Sequence, residues 1–121
     1  MIQSTKISPV NSLLFIEDAA GGVPPEPIWG VLIHSTLSCI SFACFPEQDG
    51  PTEVTIGSSI EVKPGPILVF DGDLETPSRV VIISGVEIER VLSVAVVHSK
   101  TKVKILYSHP KWPDKVTIAL D

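Results

Sequence analysis

The chain has 121 residues, a net charge of −5 and 44% hydrophobic residues, against 19% charged ones. This length suits one domain, so we treat residues 1–121 as a single unit. The acidic balance argues against non-specific nucleic-acid binding, which requires a basic surface, and the sequence contains no run of about 18 apolar residues that would form a membrane helix.

Apolar runs bounded by glycine and proline predict a chain of short β-strands. Val, Ile and Leu recur at a period of two, most clearly between Val80 and Leu106. In chain order, the predicted strands are residues 3–7, 12–17, 28–34, 37–45, 52–56, 60–62, 67–70, 79–84, 86–98, 102–107 and 116–120. Residues 87–97 also place apolar side chains at helical spacing, but their β-branched residues favour a strand.

Closely spaced short strands without intervening helices are typical of antiparallel sheets. We therefore predict an all-β fold, an antiparallel β-sandwich, with a partly open β-barrel as the alternative. Residues 21–27 contain three prolines, which exclude a helix or a central strand. This segment is expected to form an ordered crossing over the surface between two strands.

Two cysteines, Cys39 and Cys44, lie five residues apart in one apolar run. On a strand, five residues span about 17 Å and place the side chains on opposite faces, whereas a disulfide needs Cα atoms about 4.4–6.8 Å apart. Both thiols should therefore be reduced and buried, which suits a reducing compartment. The first residues also lack a basic cluster followed by an apolar core, so we expect a cytoplasmic protein.

Asp71, Asp73 and Glu75 form the densest acidic feature of the sequence, around an Asp-Gly dipeptide. Carboxylates at alternate positions resemble the start of a calcium loop. Thr76 and Ile82, however, occupy the positions where that loop requires glycine and glutamate. We therefore predict a metal-free turn between strands, because Asp-Gly is a strong turn dipeptide.

The remaining motifs predict neither catalysis nor a cofactor. His34, His98 and His109 lack the spacing of metal ligands, and no serine lies in a nucleophile elbow. A glycine-rich phosphate loop is also missing from the sequence. We therefore expect no metal, no cofactor and no catalytic residue, while a cleft assembled from residues distant in sequence would leave no motif.

Trp112 stands out because it lies in a proline-containing loop outside any predicted strand. A rigid loop loses little entropy on contact, and tryptophan is enriched at binding hot spots. The predicted binding surface combines this loop with the acidic segment and consists of Trp112, Lys111, Asp114, Asp71, Asp73 and Glu75. The alternative is that Trp112 folds back and caps one end of the core.

Charge is segregated along the chain. Residues 1–89 hold 12 acidic and 3 basic side chains, whereas residues 90–121 hold 2 acidic and 6 basic ones. This complementarity, together with a mean hydropathy of +0.35, predicts that the protein self-associates, most simply as a homodimer.

A small acidic all-β domain without a catalytic motif is typical of binding modules. We predict a non-enzymatic protein-binding module, for instance an acidic inhibitor or immunity-type protein that covers a basic partner. One alternative is a small-ligand-binding protein or enzyme, which would need a deep pocket with converging carboxylates or histidines. Another is a structural homo-oligomer, which would need a large, flat, apolar contact.

Overall fold

The computed structural model describes residues 2–26, 28 and 30–121. Pro27 and Trp29, which belong to the predicted crossing and to the predicted strand 28–34, lie outside the described residues. The strands are β1 (Gln3–Ile7), β2 (Leu13–Asp18), β3 (Ile33–Ser35), β4 (Cys39–Ala43), β5 (Thr52–Ser58), β6 (Ile67–Glu75), β7 (Val80–Gly85), β8 (Leu92–Ala95), β9 (Lys100–Tyr107) and β10 (Lys115–Leu120). Two short 3-10 helices, Val10–Ser12 and Glu47–Asp49, are the described helices, and neither is long enough to cross a membrane.

Two five-stranded sheets form the predicted all-β sandwich, and they do not close into the alternative barrel. Sheet A has the strand order β1-β5-β10-β9-β6, and sheet B has the order β3-β4-β2-β7-β8. Seven of the eight strand pairs among the described residues are antiparallel, whereas β10 runs parallel to β5. This difference from the predicted antiparallel pattern arises because β10 fills the space between β5 and β9 and runs antiparallel to β9.

The core lies between the sheets because apolar side chains alternate with polar ones along most strands. On β9, Val103, Ile105 and Tyr107 are fully buried, while Lys102 points to solvent. The Tyr107 hydroxyl donates a hydrogen bond of 2.6 Å to the Ala43 carbonyl and so links sheet A to the end of β4 in sheet B. Burial raises the pKa of the Tyr107 phenol, which keeps this donor protonated.

Predicted and observed strands agree closely at β1, β9 and β10, but three predicted strands are wrong or too long. Residues 60–62 form a turn. Residues 28–34 supply a strand only in β3, and residues 86–98 only in β8. In the last case the chain reverses after Gly85, whose N–H donates to the Ile88 carbonyl, and β8 then pairs back onto β7.

The described part of the segment between β2 and β3, residues 19–26, 28 and 30–32, crosses the outer face of sheet B, and we call it the proline crossing. Its described part is ordered by hydrogen bonds to the β3–β4 turn, as predicted. The Val23 N–H donates to Ser38 Oγ at 2.9 Å, and Thr36 Oγ1 donates to the Val23 carbonyl at 2.7 Å. The crossing is therefore attached to the sheet that it covers.

Both cysteines are free and buried, as the sequence predicts. Cys39 lies opposite Glu17 on the outer face of sheet B, whereas Cys44 belongs to the core, so the two thiols lie on opposite sides of the sheet. Burial raises the pKa of each thiol to about 12, and the Glu17 carboxylate adds to this effect at Cys39.

We expect both thiols to be unreactive towards a disulfide reagent in the native protein at pH 8, and both to react in urea. The free energy of unfolding should also fall above about pH 9, so the protein becomes less stable. The thiols ionise with a pKa of 9.0 in the unfolded chain, whereas burial raises the pKa to about 12 in the folded protein, so the unfolded state is increasingly favoured as the pH rises between these values. Thiol titration and urea unfolding at pH 8–10.5 measure these effects, and rapid native labelling would contradict the burial of Cys39 and Cys44.

Candidate functional site

The predicted acidic segment lies on strand β6, not in a turn. Asp71, Asp73 and Glu75 point outward from sheet A, each directly opposite a lysine of β9. The register pairs are Asp71 with Lys104, Asp73 with Lys102, and Glu75 with Lys100. Opposite charges at facing positions stabilise a strand pair, so the prediction of a turn is corrected to a cross-strand charge ladder.

The charge ladder lies along strand β6, whereas the Trp112 loop (residues 108–114) follows the end of β9 at Tyr107. The far end of the ladder, Glu75 opposite Lys100, lies seven residues of strand, about 23 Å, from Tyr107, and the near end, Asp71 opposite Lys104, lies three residues, about 10 Å, from it. The predicted binding residues are therefore divided between the outer face of sheet A and a loop at the end of the strand.

Strand β4 is almost completely buried, which places a second apolar surface on the outside of sheet B. Cys39, Ile40, Ser41 and Phe42 are all at most 4% exposed, so side chains on both faces of this strand are covered. The proline crossing covers part of the outer face. At Gly22 it passes so close that an added Cβ would lie 2.2 Å from the Ser38 carbonyl oxygen, so only glycine fits there.

The part of this outer face that the crossing leaves open is an apolar groove of about 760 Å³. Its floor is formed by outward-facing residues of β2 and β4, including Leu13, Phe15 and Ala43. One wall is the proline crossing, with Pro24 and Ile28, and the other includes Lys111 and Trp112 of the Trp112 loop. Two of the six predicted site residues, Trp112 and Lys111, thus line this groove.

The Trp112 loop is held in place by its own side chains. His109 Nδ1 accepts hydrogen bonds from the N–H groups of Lys111 (3.1 Å) and Trp112 (3.0 Å). Ser108 Oγ donates to Asp114 Oδ1 at 2.7 Å and accepts from the Lys115 N–H. Asp114 is thereby engaged inside the loop, and its part of the predicted binding surface is structural in this arrangement.

Trp112 itself is 55% exposed, so it does not cap the core. The adjacent Pro113 is buried and fixes the loop to the body of the protein. The indole therefore forms part of the groove wall and is carried on a backbone anchored by Pro113. This combination of a large exposed aromatic side chain and a pre-ordered backbone lowers the entropic cost of a contact.

His34, on β3, fixes the opposite wall. Its Nε2 accepts a hydrogen bond of 2.8 Å from the Ile28 N–H in the proline crossing. Ile28 is 62% exposed and Val31 is 46% exposed, so this wall also presents apolar surface to solvent. The groove is consequently an accessible apolar surface with two hydrogen-bonded walls.

The surroundings of the groove are acidic. Glu26 follows Pro25 in the crossing, and Glu47 and Asp49 flank a groove residue, Gln48, in the second 3-10 helix. All three carboxylates are exposed. Among the described residues that line the groove, Lys111 is the only cation. The carboxylates beside the groove therefore outnumber it, and the electrostatics of the rim favour a positively charged surface.

The histidine and the cysteine at the groove are, respectively, hydrogen-bonded to backbone and kept protonated by burial. Within residues 2–26, 28 and 30–121, no three His, Cys, Asp or Glu side chains gather where they would hold a metal ion. The acceptor nitrogen of His34 is already used by backbone, and burial keeps the nearby Cys44 thiol protonated by raising its pKa to about 12. The arrangement suits the binding of an apolar surface.

Sequence reasoning identified the Trp112 wall but missed the floor and the His34 wall. A usable signal was present on β2, where Leu13 and Phe15 alternate with the buried Leu14 and Ile16. A strand that is apolar on both faces needs a second covering layer. The sequence does not reveal which segment supplies that layer, because the crossing and the Trp112 loop are about 80 residues apart.

Comparison with known proteins identifies a structural neighbour. A crystal structure of ComJ from Bacillus subtilis, described as an inhibitor of the DNA-degrading activity of NucA, matches with a TM-score of 0.67 and 14% sequence identity. The match covers 99% of this chain and 97% of that chain. No family model and no curated protein sequence matches the chain. The two proteins therefore share a fold over their whole lengths.

We expect Trp112→Ala to lower the free energy of unfolding by less than about 2 kcal/mol, because the side chain is 55% exposed. A fully buried aromatic residue costs about 3–5 kcal/mol when truncated. Phe42→Ala, at a position with 0% exposure, is the matched control and should show that larger loss. Urea unfolding of the two variants measures the difference. Equal losses would mean that Trp112 packs in the core and would contradict its exposed position.

Proposed function

We propose that this chain is a non-enzymatic inhibitor that binds a partner protein through the groove on sheet B. The observation that carries the proposal is the exposed Trp112 side chain on a rigid wall of a 760 Å³ apolar groove. Exposed apolar surface of this kind marks interaction sites, and a rigid tryptophan is a typical interface anchor. The shared fold with ComJ supports an inhibitor over an enzyme.

The partner that we propose is a DNA-degrading nuclease. A protein that holds DNA needs a cationic surface for the phosphates, and the chain offers complementary charge. The three lysines opposite β6 balance Asp71, Asp73 and Glu75, so the net charge of −5 resides on the rest of the molecule. Part of that charge, Glu26 and Glu47, flanks the groove, where it would attract a basic surface.

NucA is the probe that tests this proposal, with plasmid degradation as the readout. The wild-type chain should suppress degradation at stoichiometric concentration, and Trp112→Ala should raise the inhibitory concentration about 30-fold, which corresponds to about 2 kcal/mol at a hot spot. Leu68→Ala, on β6 of sheet A at a matching 54% exposure, is the control and should inhibit like wild type. Undiminished degradation at excess wild-type protein would reject the nuclease inhibitor.

Self-association is a second proposal, supported by a separate apolar cleft. Ile60 and Val97 are 94% and 81% exposed and line a cleft of about 270 Å³ with Leu120. Leu120 ends β10, whereas the Trp112 loop precedes that strand, so this cleft lies at the other end of the sandwich. A dimer through this end would remove apolar surface from water and leave the groove free.

Light scattering over a dilution series tests the dimer. The wild-type protein should show a mass near 26 kDa, twice the chain mass of 13.0 kDa, at the higher concentrations. Ile60→Ser should shift the protein towards a monomer, because it replaces the most exposed large apolar side chain. A wild-type mass of one chain at every concentration would rule the dimer out.

We also propose a cytoplasmic location. The support is the pair of free, buried thiols, Cys39 and Cys44, which lie on opposite sides of sheet B. Free cysteines persist in a reducing compartment, whereas oxidising compartments favour disulfides. The proposal depends on this redox argument alone, and cell fractionation is the measurement that checks it.

A further inference from the structure

Both walls of the groove are held by a histidine ring nitrogen that acts as a hydrogen-bond acceptor. On one side, His34 Nε2 accepts from the Ile28 N–H at 2.8 Å. On the other, His109 Nδ1 accepts from the N–H groups of Lys111 and Trp112 at 3.1 and 3.0 Å. The two histidines belong to different elements and use different ring nitrogens for the same task.

An imidazole nitrogen accepts a hydrogen bond only while it carries a lone pair. The neutral ring has one such nitrogen, and the protonated ring has none, because both nitrogens then carry a proton. Protonation of His34 or His109 would therefore place an N–H against the backbone N–H groups that it now binds. Imidazole is the side chain that makes this change between about pH 5 and 8.

We propose that the groove is pH-gated: its two walls are ordered while His34 and His109 are neutral and detach when both are protonated. This inference rests on the proposed function, because the gate would control the binding of the same partner. Its direction follows from the bonds. The ordered walls require unprotonated rings, so groove order is complete on the alkaline side and is lost as the pH falls.

Charged groups of both signs lie on the elements around the two histidines. His34 lies opposite the uncharged Ser41 of β4, Lys111 lines the same groove, and Glu26 lies two residues before Ile28 in the crossing. The thiols of Cys39 and Cys44 stay protonated at these pH values, because burial raises the pKa of each to about 12. Around His109 lie Asp114, whose carboxylate is bonded to Ser108, and the lysines of its own loop and of β10. Glu53 of β5 donates its N–H to the Asp114 carbonyl, so its carboxylate also lies on a neighbouring element.

The third histidine provides a control. Among the described residues, no hydrogen bond involves the His98 ring, and only its backbone carbonyl accepts, from Thr76 Oγ1. His98 lines the cleft beside Ile60 and Val97, away from the groove. Replacing it should therefore remove an imidazole without touching either wall.

Isosteric variants separate the acceptor role from titration. Asparagine places Oδ1 near the position of Nδ1, and glutamine places Oε1 near that of Nε2, so His109→Asn and His34→Gln keep an acceptor that does not titrate in this range. The double variant should keep both walls at neutral and acid pH. His98→Gln, which lies outside the groove, should show the same protection of the wall amides as wild type at both pH values.

The first readout needs no partner: amide hydrogen exchange of Ile28, Lys111 and Trp112 by NMR. Between pH 7.5 and 5.5, protection factors of these amides should fall at least fivefold in wild type and in His98→Gln. They should stay within twofold in the double variant. Unchanged protection in wild type would overturn the gate, whether or not the double variant folds, and so would an equal fall in the double variant.

The second readout is binding of NucA at the same two pH values. The ratio of wild-type to double-variant affinity should fall at least tenfold on acidification, and this ratio cancels any pH effect on NucA itself. A constant ratio would overturn the gate. Loss of amide protection without NucA binding at either pH would support the gate and reject the proposed partner, so the two failures are distinguishable.

Discussion

Burial of strand β4 on both faces is the constraint on which the shape of the groove depends. The inner face packs into the core through Ile40 and Phe42, and the outer face carries Cys39 and Ser41, which are also inaccessible. A sandwich normally leaves the outside of each sheet to solvent. Here a second layer is required, and the proline crossing supplies it over part of the sheet. The groove is the portion of the apolar outer face that remains uncovered.

The two outer faces of the sandwich consequently differ in kind. On sheet A, outward side chains of β6 and β9 are carboxylates facing lysines, such as Asp73 opposite Lys102, so charges of opposite sign alternate across this face. They also make β6, an edge strand with a bulge near Phe70, a poor template for further strand pairing. On sheet B, the apolar floor and the acidic rim of the groove remain accessible, which is why we propose that a partner binds on that side.

Local patterns in the sequence were sufficient for the sandwich, because alternation in segments such as Lys100–Tyr107 reports directly which residues face the core. They failed where distant contacts decide. Asp71-Gly72 has the composition of a turn, yet it continues β6, since Gly72 leaves room for the Phe70 ring and the lysines of β9 face the carboxylates. The groove itself was not predicted for the same reason: Trp112 is conspicuous in its own loop, whereas His34 becomes significant only beside Ile28.

The position of β10 has a consequence for biosynthesis. This strand lies in the middle of sheet A and joins β5, on one side, to β9 on the other. Until residues 115–120 have left the ribosome, sheet A consists of two separate strand pairs, β1–β5 and β6–β9, each with an open inner edge. Unpaired edges invite association with other chains. The nascent protein therefore depends on adding β10, and a chain that stalls before residue 115 would leave these two inner edges unpaired.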